Sequence, residues 1–392
     1  MSRLPEGWKI ETIGEFCDIL DNLRIPISSA KRKEIEGDIP YYGANGIQGY
    51  VNDFIFNETL VLLAEDGGHF NEYQSRPIAY MVHGKSWINN HTHVLRAKNG
   101  ENYFLFYSLV HKDITSYING GTRAKLNRGE LVKIPLILPP LEEQKKIAEI
   151  LSTVDEKIAF VDKSIEETQT LKKGLMQKLL TEGIGHTEFK ESELGRIPKS
   201  WEIKLMKNVV DINPDSLTNS TNPDFQLEYI DIASIEQTGV VSVTNMFKFS
   251  NSPSRARRIV KKYDVLLSTV RPYLKSFAII KEDKNNLICS TGYAVLRAKI
   301  DTYYEFIYQF ILTDNFMNQV EKMLVGSNYP AINSNDVKNI KIPIPPLEEQ
   351  KQIAEILSTT DEKLENLKAK KEAFEELKKG LMQKLLTGET RV

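Results

Sequence analysis

Residues 139–181, PPLEEQKKIAEILSTVDEKIAFVDKSIEETQTLKKGLMQKLLT, return 206 positions later as residues 345–387, with 29 of 43 positions identical and no gap. So long an ungapped match is a duplication, and it limits the chain to architectures with two related halves. Each copy reads as one long helix. Pro-Pro ends a preceding strand and then serves as a helix entrance, because proline fixes φ and lacks an amide donor. Glu142 and Glu143 in the first turn suit the positive end of the helix dipole. In the first copy Ile147, Leu151, Val154, Ile158, Val161 and Ile165 alternate spacings of four and three. In the second, Ile353, Leu357, Leu364, Leu367 and Phe374 hold the matching stripe, with Thr360 and Lys371 as weaker members. That spacing is a coiled-coil seam, and at 1.5 Å per residue each helix is roughly 60 Å long. The two seams are each other's obvious partners. The middles of the copies have diverged while both ends have not, so the ends are expected to meet something the middles do not.

The same offset continues upstream. Gly120-Gly121-Thr122 faces Gly326-Ser327-Asn328, Leu126-Asn127 faces Ile332-Asn333, and Ile134, Leu136 and Leu138 face Ile340, Ile342 and Ile344. The last triplets alternate with period two, so each half should run from a short helix or turn into a strand that ends at Pro-Pro. Further back, residues 94–98 (VLRAK) return as 295–299, each followed by an aromatic-rich amphipathic segment, and PEGW at 5–8 is echoed by PKSW at 198–201. The expected organisation is a first domain at 1–138, a helix at 139–182, a polar linker at 183–198, a second domain at 199–344 and a second helix at 345–392. Short β runs with Gly and Asn turns and one helical segment per domain indicate an α+β fold. The loops differ between the halves, and YYGANGIQGY at 41–50 has no evident counterpart. One framework with different loops is a way to read two different ligands.

Length supports this division, since 392 residues exceed what one hydrophobic core usually holds. With 41% hydrophobic and 27% charged residues the composition is that of a folded soluble protein, and no apolar run is long enough to cross a bilayer. The first ten residues lack the apolar core of a signal peptide. Cys17 and Cys289 stand far apart without CxxC spacing and read as reduced cytoplasmic thiols. Catalytic signatures are missing: neither GxGxxG nor GxxxxGK[ST] occurs, and both Pro-Pro pairs lie between aliphatic residues rather than in a methyltransferase box. Glu282 and Lys284 lie too far from the nearest Pro-Asp pair to complete a nuclease motif. His91 and His93, beside Asn89 and Asn90, have no acidic or cysteine neighbour in sequence, so no metal is expected there.

Net charge is −2, yet the basic residues are clustered. The second half carries RARRIVKK at 255–262, with Arg255, Arg257, Arg258 and Lys261, followed by Arg271 and Tyr273. The first carries Lys31, Arg32 and Lys33, then Arg123, Lys125 and Asn127 after a glycine pair. The lysines and arginines among them neutralise phosphates, which gives affinity without sequence information. Asn45, Gln48, Arg123, Asn328 and Asn333, beside flexible glycines or at matched places, are candidates for presenting bidentate groups to base edges, and Asn90, His91 and Tyr329 are further DNA-contact candidates.

Paired variable domains, each closed by a strand running into PPLEEQ and a helix ending LKKGLMQKLLT, resemble the DNA specificity subunit of type I restriction-modification systems. The resemblance covers essentially the whole chain. It implies two tandem α/β target recognition domains, each reading one half of a split double-stranded DNA target, separated and followed by helices that pair as an antiparallel coiled coil. It also implies two adenine methyltransferase subunits docked on those helices, with restriction subunits joining through them. Candidate docking residues are Leu141, Glu143, Gln144, Leu175 and Leu179, with Leu347, Glu349, Gln350, Leu381 and Leu385. No cofactor is expected on this chain, and S-adenosylmethionine is expected on the methyltransferase. Two other classes stand beside this reading: a self-sufficient enzyme whose site has no familiar motif, and a non-catalytic coiled-coil adaptor with two protein-binding domains, favoured by the near-neutral charge.

Overall fold

In a computed structural model the described residues are 4–120, 124–235, 238–239, 241–242, 244–325 and 330–392. They form two compact units, Met1–Lys163 with Lys368–Val392, and Ser164–Leu367. Each unit thus contains one recognition domain and a part of both long helices, Leu141–Leu179 and Leu347–Thr387.

In the first unit an antiparallel sheet has the strand order Cys17–Ile19, Thr92–Ala97, Leu60–Ala64, Ala79–Val82. A second sheet orders Gly46–Val51, Ile39–Gly43, Lys85–Ile88 and Phe56–Asn57, with the middle pair parallel. The central strand Leu60–Ala64 is buried throughout. Val61 and Leu63 point into a core with Leu95, Phe104, Leu105, Ile147, Leu151 and Leu385, while Leu60 and Leu62 point into a smaller one with Val82, Ile88 and Val94. Period-two alternation therefore buries both faces, and the long helices supply part of the wall. Strand Pro135–Leu138 pairs with Lys9–Thr12 before the prolines release the chain into the helix.

The second unit repeats this plan. Its sheets are Val210–Ile212, Tyr293–Ala298, Val265–Ser268, Phe277–Ile279 and Asn245–Lys248, Gln226–Ile230, Leu287–Ser290, Ala256–Ile259, again with one parallel pair. Val265 and Leu267 face a core that includes Leu179, Leu180, Trp201, Ile353 and Leu357. Two expectations change here. The hairpin at 41–50 does have a counterpart, Gln226–Ile230 with Asn245–Lys248. Only its connection differs: a two-residue turn in one domain and a long excursion in the other, which hid the match. The stretch 183–198 is also more than a linker, since Phe189–Ser192 and Gly195–Pro198 form a hairpin and Ile197 is buried against the core.

The helices run antiparallel within each unit. Asp155 pairs with Lys378 at 2.6 Å and Asp162 with Lys371 at 2.7 Å in the first; in the second, Lys172 pairs with Asp361. Ile147, Leu151, Val154, Val161, Ile353 and Leu357 on the expected seam are buried, while Phe160, off the seam in the diverged middle, is 70% exposed. Cys17 and Cys289 are free and buried, and burial pushes the Cys17 thiol up to about 12. Among the described residues no helix is long and apolar enough to cross a membrane.

Candidate nucleic-acid interface

In the first unit four loops meet at one end of the sheets. The turn after Ile39–Gly43 places Asn45, whose amide donates to the Gly67 carbonyl at 3.0 Å. Gln48 accepts from Asn89 Nδ2 at 3.3 Å, and Asn89 Oδ1 accepts from the His91 amide at 2.8 Å. His91 meets Asp66 at 2.8 Å, Asp66 and Asn119 both bridge to Lys125, and the Leu126 amide donates to Glu65 O at 2.7 Å. Arg32 donates to the Gln48 carbonyl at 3.2 Å and lies over the Tyr41 ring at 4.7 Å. Residues spread over nearly a hundred positions, Arg32, Asn45, Gln48, Asn90, His91 and Lys125, are thereby brought together. Lys31 and Lys33 are exposed on the neighbouring turn Ser29–Glu34, Lys31 paired with Glu34. Asn127 is exposed at the start of Arg128–Leu131; Arg123 lies outside the described residues.

Beneath these loops is a charge network that the sequence reading missed. His93 is buried, with Nδ1 at 2.7 Å from Asp21 Oδ2 and Nε2 at 2.8 Å from the Leu126 carbonyl. Arg24 donates to Glu65 at 2.6 Å and to the Thr92 carbonyl at 2.7 Å. The acidic partners absent from the sequence neighbourhood of the histidines come from strands and loops far away in the chain. Asp21, Glu65 and His93 could crowd three ligand atoms within 4.8 Å. Glu65 is already held by Arg24 and by Lys125 at 3.1 Å, so these cations occupy the charge a metal would need. The network ties Lys125 and Leu126 to the sheet. Burial alone would raise the Asp21 carboxyl, but hydrogen bonds from His93 and the Val94 amide, with the Arg24 charge, hold it below the ordinary aspartate range. A depressed carboxyl stabilises the fold above its unfolded pKa, and that stability disappears as pH falls through the folded value. The melting temperature should therefore drop on acidification below about pH 4, and the drop should be smaller in Asp21→Asn, read by calorimetry across pH.

The second unit builds the same lattice from other residues. Thr269 donates from both N and Oγ1 to the Gly292 carbonyl at 2.8 Å, and the Thr291 amide donates to Arg255 O at 2.9 Å. Val270 and Val325 both bridge to Ala331, the Ile332 amide donates to Thr269 O at 3.0 Å, and the Arg271 amide donates to Pro330 O at 2.8 Å. Arg255, Arg271 and Tyr273 thus share the end of the domain that corresponds to Asn45, His91 and Lys125. The rest of the basic run does not. Arg257 stacks over Phe249 at 4.9 Å, and half-buried Arg258 has its pKa lowered by desolvation. Lys261 pairs with Asp215 at 3.2 Å beyond the far end of strand Ala256–Ile259. A strand carries its side chains to alternate faces and its two ends apart, so consecutive basic residues make no single patch. Asn333 accepts through Oδ1 from the amides of Asn335 and Asp336 and so caps helix Ser334–Asn339. Asn328 and Tyr329 lie outside the described residues.

The residues proposed for partner docking divide similarly. Glu143 and Gln144 are buried, as is Gln350. Glu143 accepts from Trp8 Nε1 at 3.1 Å and from Arg391, while Gln144 joins the Glu101 amide to the Pro139 carbonyl. Glu349 accepts from Trp201 Nε1 at 3.0 Å and meets His186 at 2.8 Å, and Gln350 accepts from the Tyr303 amide. These four side chains clamp each recognition domain to the start of its helix rather than face outward. The paired P-x-x-W echo was the signal for this, since each tryptophan finds the matching glutamate. Gly183, at φ +68, is required beside the second clamp, because a Cβ there would lie 2.4 Å from Glu349 Oε1. Leu141 is 41% exposed; Leu179 and Leu385 are buried, and Leu175, Leu347 and Leu381 are half-buried.

The helix tails also shape two grooves. One, of about 1100 Å³ in the first unit, is lined by Lys378, Lys379, Met382, Gln383 and Leu386 together with Tyr107. The other, of about 670 Å³ in the second unit, is lined by Lys172, Lys173, Met176, Gln177 and Leu180 together with Phe310. The tail residues correspond one to one across the duplication.

Comparison with known proteins agrees with this construction. The family described as type I restriction modification DNA specificity domain matches twice, at residues 5–169 and 198–376. The type I restriction enzyme MjaVIII specificity subunit of Methanocaldococcus jannaschii is 32% identical over 100% of this chain and 94% of its own length. The putative MjaX specificity subunit of the same organism is 30% identical over 100% and 96%. The crystal structure of the type I restriction-modification S subunit from M. genitalium superposes with a TM-score of 0.65 at 15% identity, covering 98% of this chain and 97% of that one. With two matched domains, two loop lattices and paired helices in place, the chain belongs to the type I restriction-modification DNA specificity family, whose members are non-catalytic subunits that confer DNA sequence specificity.

Proposed function

We propose that this chain reads a bipartite, asymmetric double-stranded DNA target, one half-site per recognition domain, and carries two methyltransferase subunits. The observation behind this reading is the repeated loop lattice: the same backbone ties at 66, 119 and 125 and at 270, 325 and 331 present Asn45, His91 and Lys125 in one unit and Arg255, Arg271 and Tyr273 in the other. Two non-identical readers on one framework select two different short sequences. If both contact one side of the duplex, half-site centres fall about 34 Å apart and the base pairs between go unread. The twin grooves, lined by the same tail residues, suit two copies of one partner related by pseudo-twofold symmetry. That partner holds S-adenosylmethionine and methylates adenine, restriction subunits join through it, and the assembly works with the chromosome in the cytoplasm.

The test is to co-produce the chain with its methyltransferase and sequence host DNA for modified adenines. A split, non-palindromic motif is expected; an unsplit or palindromic motif would refute the reading. Binding to that motif should also be steeply salt-dependent, because released counterions drive it. With six or more phosphate contacts the affinity falls by about a thousandfold or more between 50 and 200 mM salt. A flat salt profile would point to a protein-binding adaptor.

A further inference from the structure

We infer that the turn 271–275 of the second domain is a wedge that enters the base stack, with Leu274 and Tyr273 as the inserted side chains. This rests on DNA reading by that domain and goes beyond it in naming how the duplex is deformed. The turn joins strands Val265–Ser268 and Phe277–Ile279. Its centre is a short 3-10 turn, Pro272–Leu274, and on either side Arg271 (φ 48) and Lys275 (φ 52) adopt the left-handed conformation that non-glycine residues rarely occupy. Local strain of this kind persists only where the surroundings hold it. Here both arms are held. The Arg271 amide donates to Pro330 O at 2.8 Å on the side of the loop lattice. On the other, Lys275 Nζ donates to Leu312 O at 2.8 Å and the Lys275 carbonyl accepts from Thr238 Oγ1 at 2.8 Å.

What the strained turn presents is apolar. Leu274 is 59% and Tyr273 47% exposed, while Pro272 packs inward as the root. An anchored turn that lifts a leucine and a tyrosine off the surface, next to Arg271 and at the same end as Arg255, combines a hydrophobic tip with cations suited to phosphates. Apolar side chains inserted between base steps unstack and kink DNA in this way. Methylation by the partner calls for it as well, because a base to be modified inside a duplex must first leave the stack. The corresponding turn of the first domain, which follows Leu60–Ala64, buries Phe70 and ties the hydroxyl of half-buried Tyr73 to Asp113 at 3.3 Å. The insertion inferred here is that of the second domain, at its own half-site.

The experiment uses the full chain assembled with its methyltransferase, and duplexes carrying the mapped motif with 2-aminopurine placed at successive positions. Fluorescence should rise on binding at one step of the second-domain half-site. Leu274→Ala and Tyr273→Ala should remove most of that rise and slow methylation by about tenfold, while Leu274→Met retains both. A mismatch at that step should restore the rate of Leu274→Ala, because a mispaired base is already loosened. An unchanged rise in Leu274→Ala, or no rise with the wild-type chain, would overturn the inference. So would loss of the methyltransferase from the Leu274→Ala complex in mass photometry, which would assign the tip to protein packing. Failure of the underlying reading shows differently: exchanging residues 199–344 would then leave the mapped motif unchanged.

Discussion

Exchanging residues 1–138 for the first recognition domain of another specificity subunit is expected to replace one half of the methylated motif and leave the other half intact. The physical reason is that base discrimination is local. A bidentate contact distinguishes its base pair by about 1–3 kcal/mol, and it does so only for the base that the side chain reaches. The loops that carry Arg32, Asn45, Gln48, His91 and Lys125 are tied to one another by bonds within the first unit. They travel as a set when the domain is exchanged. The incoming domain must keep a tryptophan at the place of Trp8, because Glu143 is its hydrogen-bond acceptor. Sequencing modified adenines in host DNA gives the answer directly, and a change in both halves, or in neither, would show that the domains do not read independently. As a companion, inserting one matched turn into the diverged middle of each long helix should change only the unread spacer, by about two base pairs at 1.5 Å per residue.

The second large effect is expected from Glu349→Ala. The carboxylate accepts from the indole N–H of Trp201, from the Ile184 amide at 3.0 Å and from His186. Trp201 is fully buried, so removing the acceptor strands its N–H away from water. Each stranded buried donor costs about 1–3 kcal/mol. With the loss of its other partners, Glu349→Ala should cost about 3–5 kcal/mol and lower the melting temperature of the second unit by roughly 10 °C. Glu349→Gln, which keeps one acceptor oxygen, should lose less than half of that. Differential scanning calorimetry distinguishes the variants, and an Ala variant as stable as the wild type would mean that the clamp is incidental. The matching Glu143→Ala should be milder, because its second partner, Arg391, is half exposed and can turn to solvent.

The sequence alone determined the large architecture, because duplication is visible wherever residues are retained for packing. Two domains, two long helices and the family were legible from the duplication, and the seam from its 4-3 spacing. The alternation at 134–138 and 340–344 was equally legible, since period two reflects a sheet with buried and exposed sides. Loop chemistry was less readable. The helix cap at Asn333 was not foreseen, and the run at 255–262 looked like one basic patch and is split along a strand. Glu143, Gln144, Glu349 and Gln350 hold each domain to its helix, a role to which only the paired P-x-x-W echo pointed.

What only the tertiary structure decided is which distant residues become neighbours. His93 has no acid near it in sequence, but strand pairing brings Asp21 and Glu65 to it. Asn45 meets Gly67, and Thr269 meets Gly292, because loops at the same end of paired strands converge wherever their positions in the chain happen to be. A short-range pattern records local geometry, the turn of a helix or the pleat of a strand. A site assembled from loops depends on sheet order and register, and these are set by the packing of the whole domain rather than by any one segment.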